Sequence, residues 1–328
     1  MHATVGLIGA GGIANAHLPA LLDLGHDVVV FSLDGQAERL VERHGGGRVV
    51  SSLDELLDAA AAVDICTPTH THYELALAAL ERGLPTVCEK PLTRTLGEAE
   101  DLVARFAAAG VPLFPAHVVR YFAEYAELHA AVTRGEVGRV AVQRHTRQGR
   151  SPSGGWYLDE RRSGGVLLDL MIHDIDMARW IGGEVTRVFA RTNVVGGSQS
   201  TQAFLTHAGG AISVLTATWT TAPIEFRTLF EVAGSAGVLH GDSFERPAVR
   251  VEGGNAPEVD ILPPFSPLTS PYRAELGDFL GSLTAGHAPR VSARDGLEAM
   301  RVADAVARSV AGGLPVDLTP AAEEASAA

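Results

Sequence analysis

The sequence predicts an α/β protein. A doubly wound parallel sheet is expected over residues 1–119, followed by an α+β domain with an open mixed or antiparallel sheet over 120–328. Three observations predict it. Short apolar runs alternate with amphipathic stretches up to about residue 120, a glycine-rich turn follows the first run, and beyond residue 185 the rhythm becomes strand, turn, strand. A chain of 328 residues has the length of about two domains.

The first strand is ATVGLIG (3–9), and DVVVF (27–31), VDICT (63–67), PTVCE (85–89) and VPLFPA (111–116) supply the others. They are near-continuous apolar runs, as strands buried on both faces require. Helical patterns fall between them at 12–24, 35–44, 52–61, 71–82 and 96–109. A helix at 120–134 then leads to a strand, VAVQRH (140–145), a Gly/Ser/Arg-rich loop and an apolar helix at 165–181. The stretches VTRVFARTNV, TQAFLTH, AISVLTATWT, EFRTLFEVAG and GVLHG read as strands of the second sheet, in a run from 185 to 262. Helices at 271–284 and 293–312 follow, the latter able to pack back on the first domain, and the tail LTPAAEEASAA is expected to fray.

Composition narrows the function. Hydrophobic residues make up 46% and charged residues 20%, enough for a sizeable core. With 39 acidic against 26 basic residues the net charge is −13, which repels phosphate backbones and anionic lipid. Nucleic acid and membrane are therefore not expected partners. No run approaches the ~18 apolar residues of a membrane span, and the start lacks the basic region of a signal peptide. Cys66 and Cys88 end apolar runs and read as small core residues, not as a disulfide framework. A cytoplasmic location is expected.

Gly9-Ala10-Gly11-Gly12-Ile13-Ala14 fits G-x-G-x-x-G/A, and it follows a strand and opens a helix, the context this motif needs. Gly9 permits the tight turn, Gly11 lets backbone approach a pyrophosphate, and the helix N-terminus offers oriented N–H groups. Such sites put an acid about 20 residues on, at the end of the second strand. Ser32 stands there, with Asp34 two residues late, so the choice between NAD and NADP stays open.

Of the 26 basic residues only one, Lys90, is lysine. It follows Glu89 at the end of a parallel strand, where doubly wound sheets bind ligands. A lysine ammonium is a compact donor whose pKa shifts readily, which arginine cannot imitate. In the apolar helix, Asp169, His173 and Asp176 stand at i, i+4 and i+7, within one stripe of a regular helix. A carboxylate one turn from an imidazole orients the ring and supports its protonated form, as acid/base work requires.

GLIGAGGIANAHLPAL (6–21), DICTPTHTHYELALAAL (64–80), VCEKPLTRT (87–95) and SGGVLLDLMIHDID (163–176) together resemble the glucose–fructose oxidoreductase/inositol dehydrogenase family, Gfo/Idh/MocA, from residue 5 to about 312. The resemblance implies a Rossmann domain, then an open mixed sheet used for homodimer or homotetramer contacts. It implies that Lys90, Asp169 and His173 form the catalytic group, and that Thr67, Pro68, His72 and Glu89 lie near the cofactor. The expected reaction is hydride transfer between NAD or NADP and a secondary alcohol or ketone of a sugar, polyol or similar small molecule. Ala14, Thr69 and Ser32 depart from the family pattern. The loop from Arg144 through Arg147 and Trp156-Tyr157 to Arg162 reads either as the grip on a substrate carboxylate, phosphate or sugar face, with Arg147 and Trp156 foremost, or as a solvated loop or subunit contact. Two alternatives remain within the family: a non-catalytic NAD(P)-sensing regulator, and a lyase or glycosidase using redox as an internal step. A metal-dependent hydrolase built on His70, His72, His117, Asp169 and His173 is a weaker rival, because it leaves the glycine turn without a role, so no metal is expected.

Overall fold

Runs rich in β-branched residues make the first sheet: β1 (Thr4–Ile8), β2 (Asp27–Phe31), β3 (Arg48–Val49), β4 (Ala62–Ile65), β5 (Thr86–Glu89) and β6 (Leu113–Ala116). The computed structural model describes residues 3–152, 155–244 and 270–319. Among these, 3–126, 155–164 and 270–300 form one unit and 127–152, 165–244 and 301–319 a second.

In the first unit all six strands are parallel, in the order β3-β2-β1-β4-β5-β6. That is the doubly wound order, whose direction reverses between β1 and β4. The helices are α1 (Ala14–Asp23), α2 (Ala37–His44), α3 (Leu53–Ala59), α4 (His72–Glu81) and α5 (Leu96–Ala109), joined by the short α7 (Glu160–Ser163), α9 (Pro271–Ala285) and residues 293–300 of α10 (Ala293–Gly312). Local chemistry fixes their ends. Thr95 and Glu98 form a reciprocal capping box at the start of α5, and Gly110 closes its other end at φ 66°. Leu102 and Phe106 of α5 are buried, each side chain contributing roughly 1.5–3 kcal/mol. C-terminal residues complete this core: Phe279 of α9 stacks on Phe114 at 5.0 Å between centroids, and buried Arg120 pairs with Asp295 at 3.1 Å.

The second unit holds residues 127–133 of α6 (Ala123–Thr133), β7 (Val140–Arg150), α8 (Ile172–Gly182), β8 (Val185–Val195), β9 (Ser198–His207), β10 (Ile212–Thr220), β11 (Arg227–Gly234), β12 (Val238–Asp242) and β13 (Val316–Asp317). Its sheet runs β12-β11-β7-β10-β9-β8-β13, and among the described residues only β7 and β10 pair in parallel within it. Alternation decides its faces: Ala203 and Leu205 of β9 and Leu215 and Ala217 of β10 are buried, whereas Phe204 and Ile212 point outward at 47% and 46% exposure.

Two expectations need correction. Residues 146–150, read as loop, continue β7, because polar side chains of this strand find buried partners: Gln143 Nε2 donates to Ala178 O at 2.9 Å, and Arg147 pairs with Asp174. The helix expected at 165–181 is not regular, since Leu167–Met171 forms a π-turn leading into α8. The tail is still pinned at Leu318, whose N–H donates to Thr186 O at 2.8 Å. Residues 320–328 of that tail, and 245–262 of the strand run, lie outside the described residues. No helix among the described residues is long and apolar enough to cross a membrane.

Candidate active site

The glycine turn sits at the strand-order reversal. Gly9 has φ +102°, and a Cβ there would lie 2.5 Å from Cys66 O, so the crossing of β1 by the loop after β4 admits only glycine. Gly11 and Gly12 are different: no atom lies within 4 Å of where their Cβ atoms would be. Ile13 precedes α1 without a side-chain cap, and the Asn15 and Ala16 N–H groups turn back to the carbonyls of Gly12 and Ile13 at 3.2 and 2.8 Å. An open backbone cradle over an uncapped helix end fits a dinucleotide pyrophosphate. Asn15, unremarked in the motif, holds the turn. Its Nδ2 donates to Gly11 O at 3.1 Å, and its Oδ1 accepts from Arg43 of α2 at 2.9 Å.

At the end of β2 the Ser32 hydroxyl donates to Asp34, whose other oxygen accepts from Gln36 Nε2 at 2.9 Å. The Ser32 hydroxyl, aided by the Gln36 backbone N–H, holds the Asp34 carboxyl below the usual carboxylate range against the opposing effect of burial. An ionised acceptor therefore stands at this strand end, two residues later than the motif places it. It suits a ribose hydroxyl and disfavours a 2′-phosphate.

The loops after β4 and β5 are tied to each other by His72. Its ring is buried, with Nε2 2.9 Å from Thr67 O and Nδ1 2.9 Å from Pro91 O. Burial pushes this imidazole below its ordinary value, while the two carbonyls pull the other way. Thr71 Oγ1 closes the same loop onto Pro68 O at 2.7 Å. Thr67 and Pro68 are thus held beside the strand end that carries Glu89 and Lys90. Glu89 is buried, its Oε2 accepting the Lys90 backbone N–H at 2.9 Å; Lys90 is half-buried and its bond to Pro91 is cis.

Segment 155–164 belongs to the same unit. Arg94 donates to the carbonyls of Glu160 and Arg161 at 2.6 and 2.9 Å, and the Arg162 guanidinium lies 3.1 Å from His70 Nε2. Trp156 and Tyr157 stack at 3.9 Å in this segment, both half-buried. With His70 against a guanidinium and both nitrogens of His72 on carbonyls, the H-x-H pair is committed to other partners than a metal.

In the second unit Asp169 lies within the π-turn and His173 in the first turn of α8, both half-buried. Single π-turns occur frequently at functional sites. The third member of the expected stripe, Asp176, is fully buried, so the accessible positions reduce to Asp169 and His173. Arg147, expected to grip substrate from a loop, is 5% exposed on β7, its guanidinium donating to Asp174 at 2.9 and 3.3 Å. That commitment accounts for the side chain without a substrate.

The family description "Oxidoreductase family, NAD-binding Rossmann fold" matches residues 3–117, and "GFO/IDH/MocA C-terminal domain" matches 125–240. A myo-inositol dehydrogenase of Streptomyces leeuwenhoekii is 31% identical over 329 residues, covering 95% of this chain and 99% of its own. A myo-inositol 2-dehydrogenase of Thermotoga maritima is 29% identical, with 93% and 96% covered. Among solved structures, a myo-inositol dehydrogenase from Corynebacterium glutamicum is 25% identical with a TM-score of 0.80, covering 98% of this chain and 100% of its own.

Proposed function

Because the chain belongs to the Gfo/Idh/MocA oxidoreductase family, with its NAD-binding Rossmann domain, we propose that its substrate is a cyclic polyol or sugar, oxidised or reduced at one secondary alcohol or ketone carbon. The observation that carries the reading is the open cradle at Gly11 and Gly12 over the uncapped start of α1. The substrate class is taken from the inositol dehydrogenases it resembles. A bound nicotinamide supplies hydride transfer. What remains for the chain is the hydroxyl proton and the charge on the oxygen. In this reading His173 is the general acid/base, Lys90 the point donor that polarises the oxygen, and Asp169 the carboxylate that orients and balances them. Trp156, stacked on Tyr157, offers an aromatic face to a sugar ring. Asp34 favours NAD over NADP by repelling the 2′-phosphate.

The chain further acts, in this reading, in the cytoplasm, where its buried free thiols Cys66 and Cys88 stay reduced, and it self-associates through the outward face of the mixed sheet around Phe204 and Ile212.

The test is a panel of inositols, sugars and polyols with NAD+ and NADP+, followed by reduced-nicotinamide absorbance. Reduction with at least one cyclic polyol is expected, with higher kcat/KM for NAD+, and Asp34→Ala should narrow that preference. His173→Ala should lower turnover about 10²–10⁴-fold. Absence of reduction across the panel, or near-parent turnover in His173→Ala, overturns the reading.

A further inference from the structure

The first unit buries four ionisable side chains together: His17 on α1, Asp64 on β4, Cys66 just past it, and Glu89 at the end of β5. His17 Nδ1 lies 2.8 Å from Asp64 Oδ2. Its Nε2 lies 3.2 Å from Glu89 Oε1, an ion-pair contact whose angle falls short of a hydrogen bond. The other oxygen of Glu89 accepts the Lys90 backbone N–H, and Cys66 Sγ donates to Asp64 Oδ1 at 3.6 Å. Contacts therefore run without a break from Asp64 through His17 and Glu89 to the backbone of Lys90.

Two buried carboxylates this close need a cation between them. Burial alone would lower the His17 imidazole, yet the Asp64 carboxylate raises it well above its ordinary value. Burial alone would raise Glu89, yet contact with His17, with Lys90 and His72 adding to it, holds its carboxyl below the usual range. His17 is then charged and Glu89 ionised through the neutral range. Burial keeps Cys66 a thiol, far above its ordinary value, which makes it a donor to Asp64. The helices packed against α1 carry further charged and titratable groups: on α9 Tyr272, whose ring centroid is 5.6 Å from that of His17, buried Glu275, Arg273, which pairs with Asp23 of α1, and Asp278, which accepts from Tyr121; on α2 Glu38, Arg39, Glu42, and Arg43 and His44, both turned to Asn15.

We infer that His17 is a positioning residue for Lys90: held by Asp64 on one side, its ring fixes from the other the Glu89 carboxylate that receives the Lys90 N–H. The inference rests on the proposed role of Lys90 and extends it to a residue that touches neither substrate nor cofactor. A His17 that only filled space would be replaceable by a neutral side chain of similar size without moving Lys90.

The single lysine allows a direct test. Protein labelled with ¹⁵N-lysine and loaded with NAD+ gives one lysine backbone signal, that of Lys90. In the parent this amide should show a carboxylate-bonded shift that stays constant between about pH 5 and pH 8, since Glu89 remains ionised. His17→Gln should move the signal, introduce a titration within that interval as Glu89 loses its cation, and lower kcat at least tenfold with KM for NAD+ within twofold. The double variant with Glu89→Gln should lose no more than either single change. If His17→Gln does not fold, Glu89→Gln carries the test, with the same signal change and kcat loss expected. An unmoved, non-titrating signal with parent kcat overturns the inference. A moved signal with parent kcat upholds the positioning contact and overturns the role of Lys90 instead.

Discussion

Gly9 and Gly11 stand two residues apart in one motif and make opposite demands on a substitution. Gly9→Ala puts a Cβ 2.5 Å from Cys66 O at φ +102°, so it should destabilise the fold by about 1–3 kcal/mol. Gly11→Ala meets nothing within 4 Å. Its unfolding temperature should match the parent's, while NAD+ affinity falls tenfold or more. Thermal unfolding beside a fluorescence titration of NAD+ checks both, and equal effects of the two substitutions would place the cofactor elsewhere. These glycines were legible because backbone chemistry demands them. Asn15 and His17 were not, since a polar residue inside an amphipathic helix reads as surface or core until its partners, distant in sequence, are known. Lys90 was legible for an unrelated reason, its solitude among arginines.

At the scale of elements, every strand of the parallel sheet except β3 announced itself as an apolar run. The two-residue strands β3 and β13 are too short to show a period, and pairing alone defines them. β7 misled the reading because its buried face is polar: Gln143, His145 and Arg147 point inward. Burial pushes the His145 imidazole down to about 4, so a neutral ring meets Gln143 Oε1 at 2.9 Å. The π-turn at Leu167–Met171 left no mark in the sequence, and it changes the helical offset between Asp169 and His173, while Asp176, inside regular α8, is buried. Arg147 tests the reassigned strand. Arg147→Met leaves Asp174 buried without its guanidinium and should cost about 3–5 kcal/mol, read by urea denaturation. Unchanged stability with a raised KM for substrate would return Arg147 to the substrate.

For the molecule as a whole, the alternation of strands and helices and the change of rhythm after residue 120 were enough to specify an α/β fold with a second, mixed or antiparallel sheet, and the motifs that carry the family resemblance supplied the oxidoreductase reading. Less legible was which distant segments share a compact unit, because Arg120 and Asp295, or Arg94 and Glu160, advertise no pairing in sequence. The substrate is the least legible feature, since sugar and polyol selectivity depends on side chains that carry no motif. The central claim is that Lys90 acts at the reacting oxygen. Amine-directed acylation reaches only Lys90 and the chain's N-terminus, because no other lysine exists. Activity followed against the stoichiometry of acylated Lys90 should vanish in step with that one site, and NAD+ together with a cyclic polyol should protect it. Acylated protein, or Lys90→Arg, that keeps near-parent turnover would contradict the claim.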